Sequence, residues 1–124
     1  SNYYETNSWP NENYPKYLNI ILKCKTKLNP FLLIKKLKKI EKKLGRKKSL
    51  RNDPRTCDID IISYDRKIFS GDINIPHKRM HKRNFVIMPL YELDKDWIHP
   101  KLNLNIRKLI FSLPIKDITS IKKF

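Results

Sequence analysis

Residues 29 to 45 admit one local structure. Asn29 is a residue type that caps helix N-termini, and Pro30 suits the first helical position. Leu33, Leu37, Ile40 and Leu44 then recur at spacings of four, three and four, which is one apolar stripe on a helix. Gly45 supplies the C-terminal stop. The opposite face is almost all lysine. A helix with one apolar stripe needs a layer to pack on. The preceding residues, 17 to 26, alternate as a strand does: Leu18, Ile20, Leu22 and Cys24 on one face, Tyr17, Asn19, Ile21 and Lys23 on the other.

The remaining chain reads as shorter pieces. Residues 5 to 15 are polar, contain two prolines and predict a loop. Residues 46 to 54 predict a basic loop, and residues 56 to 64 a β-branched, apolar strand. Residues 66 to 76 predict a turn and a short strand ending at Pro76, and residues 77 to 93 an irregular stretch with short helical turns. Residues 103 to 113 predict a second amphipathic helix, with Ile106, Leu109, Ile110 and Leu113 on one side. Neither repeats nor a long linker interrupt this order. Strands and helices alternate without βαβ regularity, so the expected fold is α+β: helices packed on an antiparallel or mixed sheet, in a single domain over residues 1 to 124.

The 124 residues are 40% apolar, enough for a core. No run approaches the roughly 18 apolar residues of a membrane span. The start has neither the charged nor the apolar region of a signal peptide, so the expected location is the cytoplasm. It also lacks a Met, and the chain is expected to begin partway into a longer protein. Cys24 and Cys57 are expected to be reduced, small core residues, since two lone cysteines make no disulfide framework. Trp97 is expected to pack in the core and His99, beside Pro100, to lie on the surface.

A net charge of +16 points to an anionic partner: nucleic acid, an acidic membrane or a phosphate-rich substrate. Heavy use of Lys, Ile and Asn, whose codons are A/T-rich, explains the same composition without such a partner. The run of lysines between 35 and 48 is compatible with a nucleic-acid-binding module, but a solvated lysine face on a helix with a core face accounts for it better. The same helix lacks Trp and Phe anchors other than Phe31, which disfavours a membrane-surface role. A zinc site from His77, His81 and the cysteines lacks the Glu of the HExxH pattern.

The sharpest chemical feature is Arg55-Thr56-Cys57-Asp58-Ile59-Asp60. Residues two apart on a strand point to the same face, so Asp58 and Asp60 project together, about 6.5–7 Å apart at the backbone. Two carboxylates on one face repel unless a cation lies between them. Hard oxygen donors of this kind suit Mg²⁺, which takes one or two carboxylates plus substrate phosphates. Two such ions about 3.5–4 Å apart would clamp both ends of a phosphoryl transfer. Arg55 offers a planar fork for phosphate oxygens. Arg46, Lys48, Arg51, His77 and Arg83 add further cations, and positioning plus charge neutralisation is what phosphoryl transfer needs.

The stretch Asp53-Pro54-Arg55-Thr56-Cys57-Asp58-Ile59-Asp60-Ile61-Ile62 resembles the PRTxDxDI signature of the hydroxymethyldihydropterin pyrophosphokinases. Ile75-Pro76-His77, then Arg79 through Leu93, resemble that family's IPHPRxxxRxFVLxPLxEI block. Tyr4-Glu5-Thr6 and Pro15-Lys16-Tyr17-Leu18-Asn19 resemble its YxT and PxYLN elements, and Glu41 with Gly45-Arg46 its E…GR. All five blocks keep their order and spacing across essentially the whole chain.

The resemblance implies a ferredoxin-like α/β sandwich with a mostly antiparallel sheet. It also implies that the family's first strand and helix are missing from this chain. It implies transfer of the diphosphate of ATP to 6-hydroxymethyl-7,8-dihydropterin, leaving AMP, in folate biosynthesis. On that reading Asp58 and Asp60 bind two Mg²⁺ ions. Arg55, Arg46, Lys48, His77 and Arg83 contact ATP phosphates, and Glu41 and Ile61 lie near the nucleotide. Arg55, Asp58, Asp60 and Arg83 are the catalytic set. Asn19 hydrogen-bonds the pterin, Tyr17 and Phe85 sandwich it, and Thr6 lies beside it. The implied partners are these two small molecules, with no nucleic acid or membrane, and the protein is expected to be a monomer. An inactive fragment of the enzyme is the remaining alternative. Departures from the family pattern fall at Lys48, where Arg is frequent, at Asn52 and Asp53, and at Ser8, Trp9 and Pro10 in the first loop.

Overall fold

The computed structural model describes residues 1–8, 12–45 and 57–124. The helix foreseen from residue 29 onward is α1, Pro30–Lys43. Asn29 Oδ1 accepts from the Leu32 N–H at 3.0 Å, closing the first turn. Gly45, at φ 90°, takes the left-handed conformation that ends it. Leu33 and Leu37 are half-buried, while Ile40 and Leu44 at the end of the stripe are exposed. Lys35, Lys36, Lys38, Lys39, Lys42 and Lys43 are all exposed, a solvated lysine face.

Among the described residues the sheet is antiparallel, with three short strands in the order β2–β1–β3. Strand β1, Tyr4–Thr6, pairs with β2, Tyr17–Asn19, in the register Tyr4↔Asn19, Glu5↔Leu18, Thr6↔Tyr17. On its other edge β1 pairs with β3, Lys122–Lys123, a strand that residues 122 and 123 do not announce. Strand β1 also takes two residues from the expected loop.

Strand pairing stops at Asn19, although the predicted strand ran to residue 26. The alternation itself persists: Tyr17, Asn19 and Ile21 are half-buried, while Leu18 and Leu22 are 63% and 71% exposed. Ile21 is the last residue tied inward, its N–H donating to Ser1 Oγ and its carbonyl accepting from the Ser1 amino group, each at 2.9 Å. Cys24 lies beyond that tie and is exposed, which corrects its expected place in the core; Cys57 is half-buried.

Residues 57 to 64 are not a strand in this structure. Their backbone is held by other means: Ile59 N–H donates to Glu41 Oε1 at 2.8 Å, and Ile62 carbonyl accepts from His77 N–H at 2.9 Å. Tyr64 Oη adds a bond to the Leu28 carbonyl at 2.7 Å. A carboxylate and a single carbonyl replace a ladder, yet the alternation survives: Cys57 and Ile59 inward, Asp58 and Asp60 outward. Phe69 and Ile75 then close a short hairpin through two backbone bonds of 2.9 and 3.1 Å, with Gly71 at φ 117° in its turn.

Residues 84 to 93 correct the irregular reading. They form a regular helix, α2, Asn84–Leu93, entered from a 3-10 turn at Met80–Lys82. Pro89 sits inside it, where it removes one backbone bond. The burial of Val86, Ile87, Pro89 and Leu90 outweighs that loss. Helix α3, Ile106–Phe111, is shorter than the expected 103 to 113, because Asn105 caps it by accepting from Arg107 N–H at 2.8 Å. Helix α4, Ile115–Ser120, follows.

The core lies between α2 and α3. Met80, Val86, Ile87, Leu90, Ile106, Leu109 and Leu113 form it, with Trp97 packed against it as expected. Ile21 and Ile62 reach the same cluster from the two extended segments. The sheet is tied to α2 by Glu92, which accepts from Tyr4 Oη at 2.6 Å and from Asn2 N–H at 2.8 Å. Among the described residues no helix is long and apolar enough to cross a membrane.

Candidate active site

Asp60 is the centre of a charged cluster. Its Oδ2 lies 3.9 Å from His77 Nε2 and 3.8 Å from an Arg83 guanidinium nitrogen. Each partner comes from a separately anchored piece of chain. Asp60 follows Ile59, whose N–H is held by Glu41 on α1. His77 follows the hairpin, and Arg83 is the N-cap residue of α2. His77 Nδ1 accepts from Arg79 N–H at 3.2 Å, so the ring's proton sits on Nε2, facing the carboxylate.

Burial lowers the His77 pKa, Arg83 lowers it further, and Asp60 opposes both. Burial also lowers that of Arg83, with Arg79 adding to the effect and Asp60 and Asp58 opposing it. His77 is therefore a neutral hydrogen-bond donor at physiological pH, beside a half-buried guanidinium. Arg79 was not singled out in the sequence as a site residue; its field on both groups emerges only once the 3-10 turn brings it close.

Arg83 also lies over the Phe85 ring, 5.4 Å from its centroid. Two residues at the start of α2 thus present a cation and an aromatic face side by side. A second group forms on the sheet. Asn19 Nδ2 donates to Thr6 Oγ1 at 3.1 Å and to the Tyr4 carbonyl at 3.3 Å. The strand register sets Tyr17 opposite Thr6, so Thr6, Tyr17 and Asn19 form one polar and aromatic patch.

Glu41 is 1% exposed, and its carboxylate is engaged with Ile59 N–H and with Lys38 Nζ at 3.3 Å. Its visible work is to hold the aspartate-bearing segment against α1. Ile61 lines a cleft of ≈ 80 Å³ with Ile34, Leu37, Lys38, Ile59 and Asp60. Arg46, Lys48 and Arg55, with Arg51, Asn52, Asp53, Trp9 and Pro10, lie outside the described residues. Ser8, from the divergent first loop, is buried and donates to the Tyr14 carbonyl at 3.0 Å.

The carboxylate pair fits Mg²⁺. Asp58 and Asp60 are both exposed oxygen donors on the outward face of one segment. Hard carboxylate oxygens are the donor type Mg²⁺ takes, one or two from protein with the rest of its shell from water and phosphate.

An exposed aspartate pair flanked by a histidine and an arginine on an α+β frame is the set of side-chain types that phosphoryl chemistry uses. Residues 1–95 match the model of the 7,8-dihydro-6-hydroxymethylpterin-pyrophosphokinase family, and the chain belongs to that family. It is 43% identical over 118 residues to the 2-amino-4-hydroxy-6-hydroxymethyldihydropteridine pyrophosphokinase of Aquifex aeolicus, covering 94% of this chain and 68% of the relative. The enzyme of the same name from Haemophilus influenzae is 37% identical over 101 residues, covering 81% of this chain and 63% of the relative. The folic acid synthesis protein fol1 of Pneumocystis carinii is 35% identical over 122 residues, 98% of this chain and 16% of that protein. The chain spans about two thirds of the single-enzyme relatives from Aquifex and Haemophilus.

Proposed function

We propose that this chain transfers the diphosphate of ATP to 6-hydroxymethyl-7,8-dihydropterin, giving AMP and the pterin diphosphate, as a Mg²⁺-dependent step of folate biosynthesis in the cytoplasm. The observation that carries this reading is the convergence of His77 and Arg83 on Asp60, with Asp58 on the same outward face. We read residues 1 to 124 as one catalytic domain, acting as a monomer.

Asp58 and Asp60 would hold Mg²⁺, which would supply charge neutralisation and Lewis acidity at the phosphate oxygens. Arg83 offers its guanidinium to the phosphate oxygens, and His77 adds its Nε2–H as a neutral donor. Arg46, Lys48 and Arg55 extend this ring of cations, with Glu41 and Ile61 on the nucleotide side. Asn19 hydrogen-bonds the pterin ring edge, Tyr17 and Phe85 stack on its faces, and Thr6 lies beside it. Because Arg83 and Phe85 are neighbours on α2, the hydroxymethyl oxygen and the β-phosphorus are presented to one another by a single element.

The test is AMP formation from Mg²⁺-ATP with and without 6-hydroxymethyl-7,8-dihydropterin. AMP that depends on the pterin is the expected result. AMP formed equally without it would replace this reading with simple ATP hydrolysis, and no AMP would remove the activity from this chain.

A further inference from the structure

A second cleft, of ≈ 150 Å³, opens between the Phe69–Ile75 hairpin and the turn that follows Trp97. Its chemistry is one-sided. Lys78, Lys101, His77, His81 and His99 line it, with apolar side chains and two small polar ones, and none of the lining residues is acidic.

His99 is the key to this cleft, and its burial overturns the surface position expected from the sequence. The residue is only 4% exposed. Nδ1 accepts two backbone N–H groups, from Lys101 at 3.2 Å and Leu102 at 3.0 Å. That fixes the proton on Nε2. The turn is locked from the other side by His99 N–H to the Leu104 carbonyl at 2.9 Å and Asn103 N–H to the His99 carbonyl at 2.8 Å. Trp97 and His81 flank the ring edge-to-face, with centroids at 5.7 and 6.2 Å. No hydrogen-bond partner for Nε2–H occurs among the described residues, and the atom is not sealed in. A buried imidazole held in one orientation therefore lines a cleft whose wall also carries Lys78 and Lys101. Burial, His81 and Lys101 all lower the His99 pKa, which keeps the ring a neutral donor.

We propose that this cleft binds a phosphate-class oxyanion, with His99 Nε2–H at its floor and His81, Lys78 and Lys101 around it. The requirement is for an acceptor-rich anion small enough for one phosphate group, which every donor in the cleft satisfies. The site does not depend on the aspartate pair. It shares only His77 with that centre, so it can be filled without Mg²⁺ or pterin.

The experiment follows the imidazole nitrogen and carbon resonances of His99 and His81 while inorganic phosphate is added at constant ionic strength, with chloride as the control. A parallel titration with AMP separates a free phosphate from a phosphate ester. Saturable shifts at His99 with either ligand, absent with chloride, are expected. Lys101→Ala is expected to weaken binding about tenfold, the loss of one charge-assisted hydrogen bond. His81→Gln provides a second variant that leaves the turn intact, and Arg83→Ala is expected to leave the His99 response unchanged. The proposal is overturned if His99 does not respond to phosphate or AMP, if chloride gives the same response, or if both Lys101→Ala and His81→Gln bind as wild type.

Discussion

Asp60 faces the Arg83 guanidinium and the neutral His77 imidazole but is bonded tightly to neither, at 3.8 and 3.9 Å. At those distances the guanidinium offsets the carboxylate charge while oxygen lone pairs stay open to a third partner. Asp60→Asn keeps the shape and removes the charge. It is expected to abolish pterin-dependent AMP formation while leaving pterin affinity without nucleotide intact, as read by pterin fluorescence. Turnover near wild type would take Asp60 out of the reaction. Tyr4 and Glu92 offer a second prediction at this scale. Burial, then the bond to Glu92, raises the Tyr4 pKa to about 12. Its contribution to stability is full below the ordinary tyrosine value and lost as pH rises through about 12. The bonds from Tyr4 and Asn2 lower the Glu92 pKa, so its contribution is full above the ordinary carboxylate value and lost as pH falls through the lowered one. In Glu92→Gln the tyrosinate absorbance should appear at lower pH, yet still above the ordinary value, because burial remains. The acid side of the stability curve should flatten as well; an unchanged Tyr4 titration would mean that the carboxylate has no hold on it.

Among the elements, Glu41 joins α1 to the segment that carries the aspartates. Glu41→Ala leaves the Ile59 N–H without its acceptor. The expected cost is about 1–3 kcal/mol of stability and a loss of hydrogen-exchange protection at Ile59. Full protection at Ile59 in that variant would show that another group holds the segment. How much of each element could be read in advance depended on where its hydrogen bonds go. Helix α1 was legible because Asn29, Pro30 and Gly45 act locally, within the turns they begin and end. Helix α2 was not, because Pro89 argues against a helix and the run around it is too uniformly apolar to show a stripe; burial in the core decides it. The strand expected over residues 17 to 26 was half legible. Alternation could be read from Leu18, Ile20 and Leu22, but a ladder needs a neighbour, and pairing with β1 ends at Asn19. Strand β3 depends wholly on distant β1, and Lys122 and Lys123 carry no signal of it.

For the molecule as a whole, the α+β class and the charged cluster could both be read from local pattern, while strand pairing and burial could not. Asp58, Asp60, His77 and Arg83 stand in motifs whose spacing is visible in one dimension, and the structure brings Asp60, His77 and Arg83 together. His99 was misjudged for the opposite reason: a histidine beside a proline looks like surface until the turn that buries it is known. Lysines and arginines together give the net charge of +16, and the lysines of α1 are spread over solvent. Stability is distributed unevenly. The core cluster runs from Met80 to Leu113, so Ile87→Ala, at a fully buried position, is expected to cost about 2–5 kcal/mol in chemical denaturation. A cost below about 1 kcal/mol would place the core elsewhere.

The thin sheet has no such reserve. Strands β1 and β2 are three residues each, and β1 is bonded to α2 through Glu92. The residues assigned to the pterin are shared between that sheet and the first turn of α2, so a bound pterin would act as a rivet between a strong half and a weak one. Substrate would then do more than occupy the site: it would fasten the strands that recognise it, and the empty protein would loosen first at its own recognition surface.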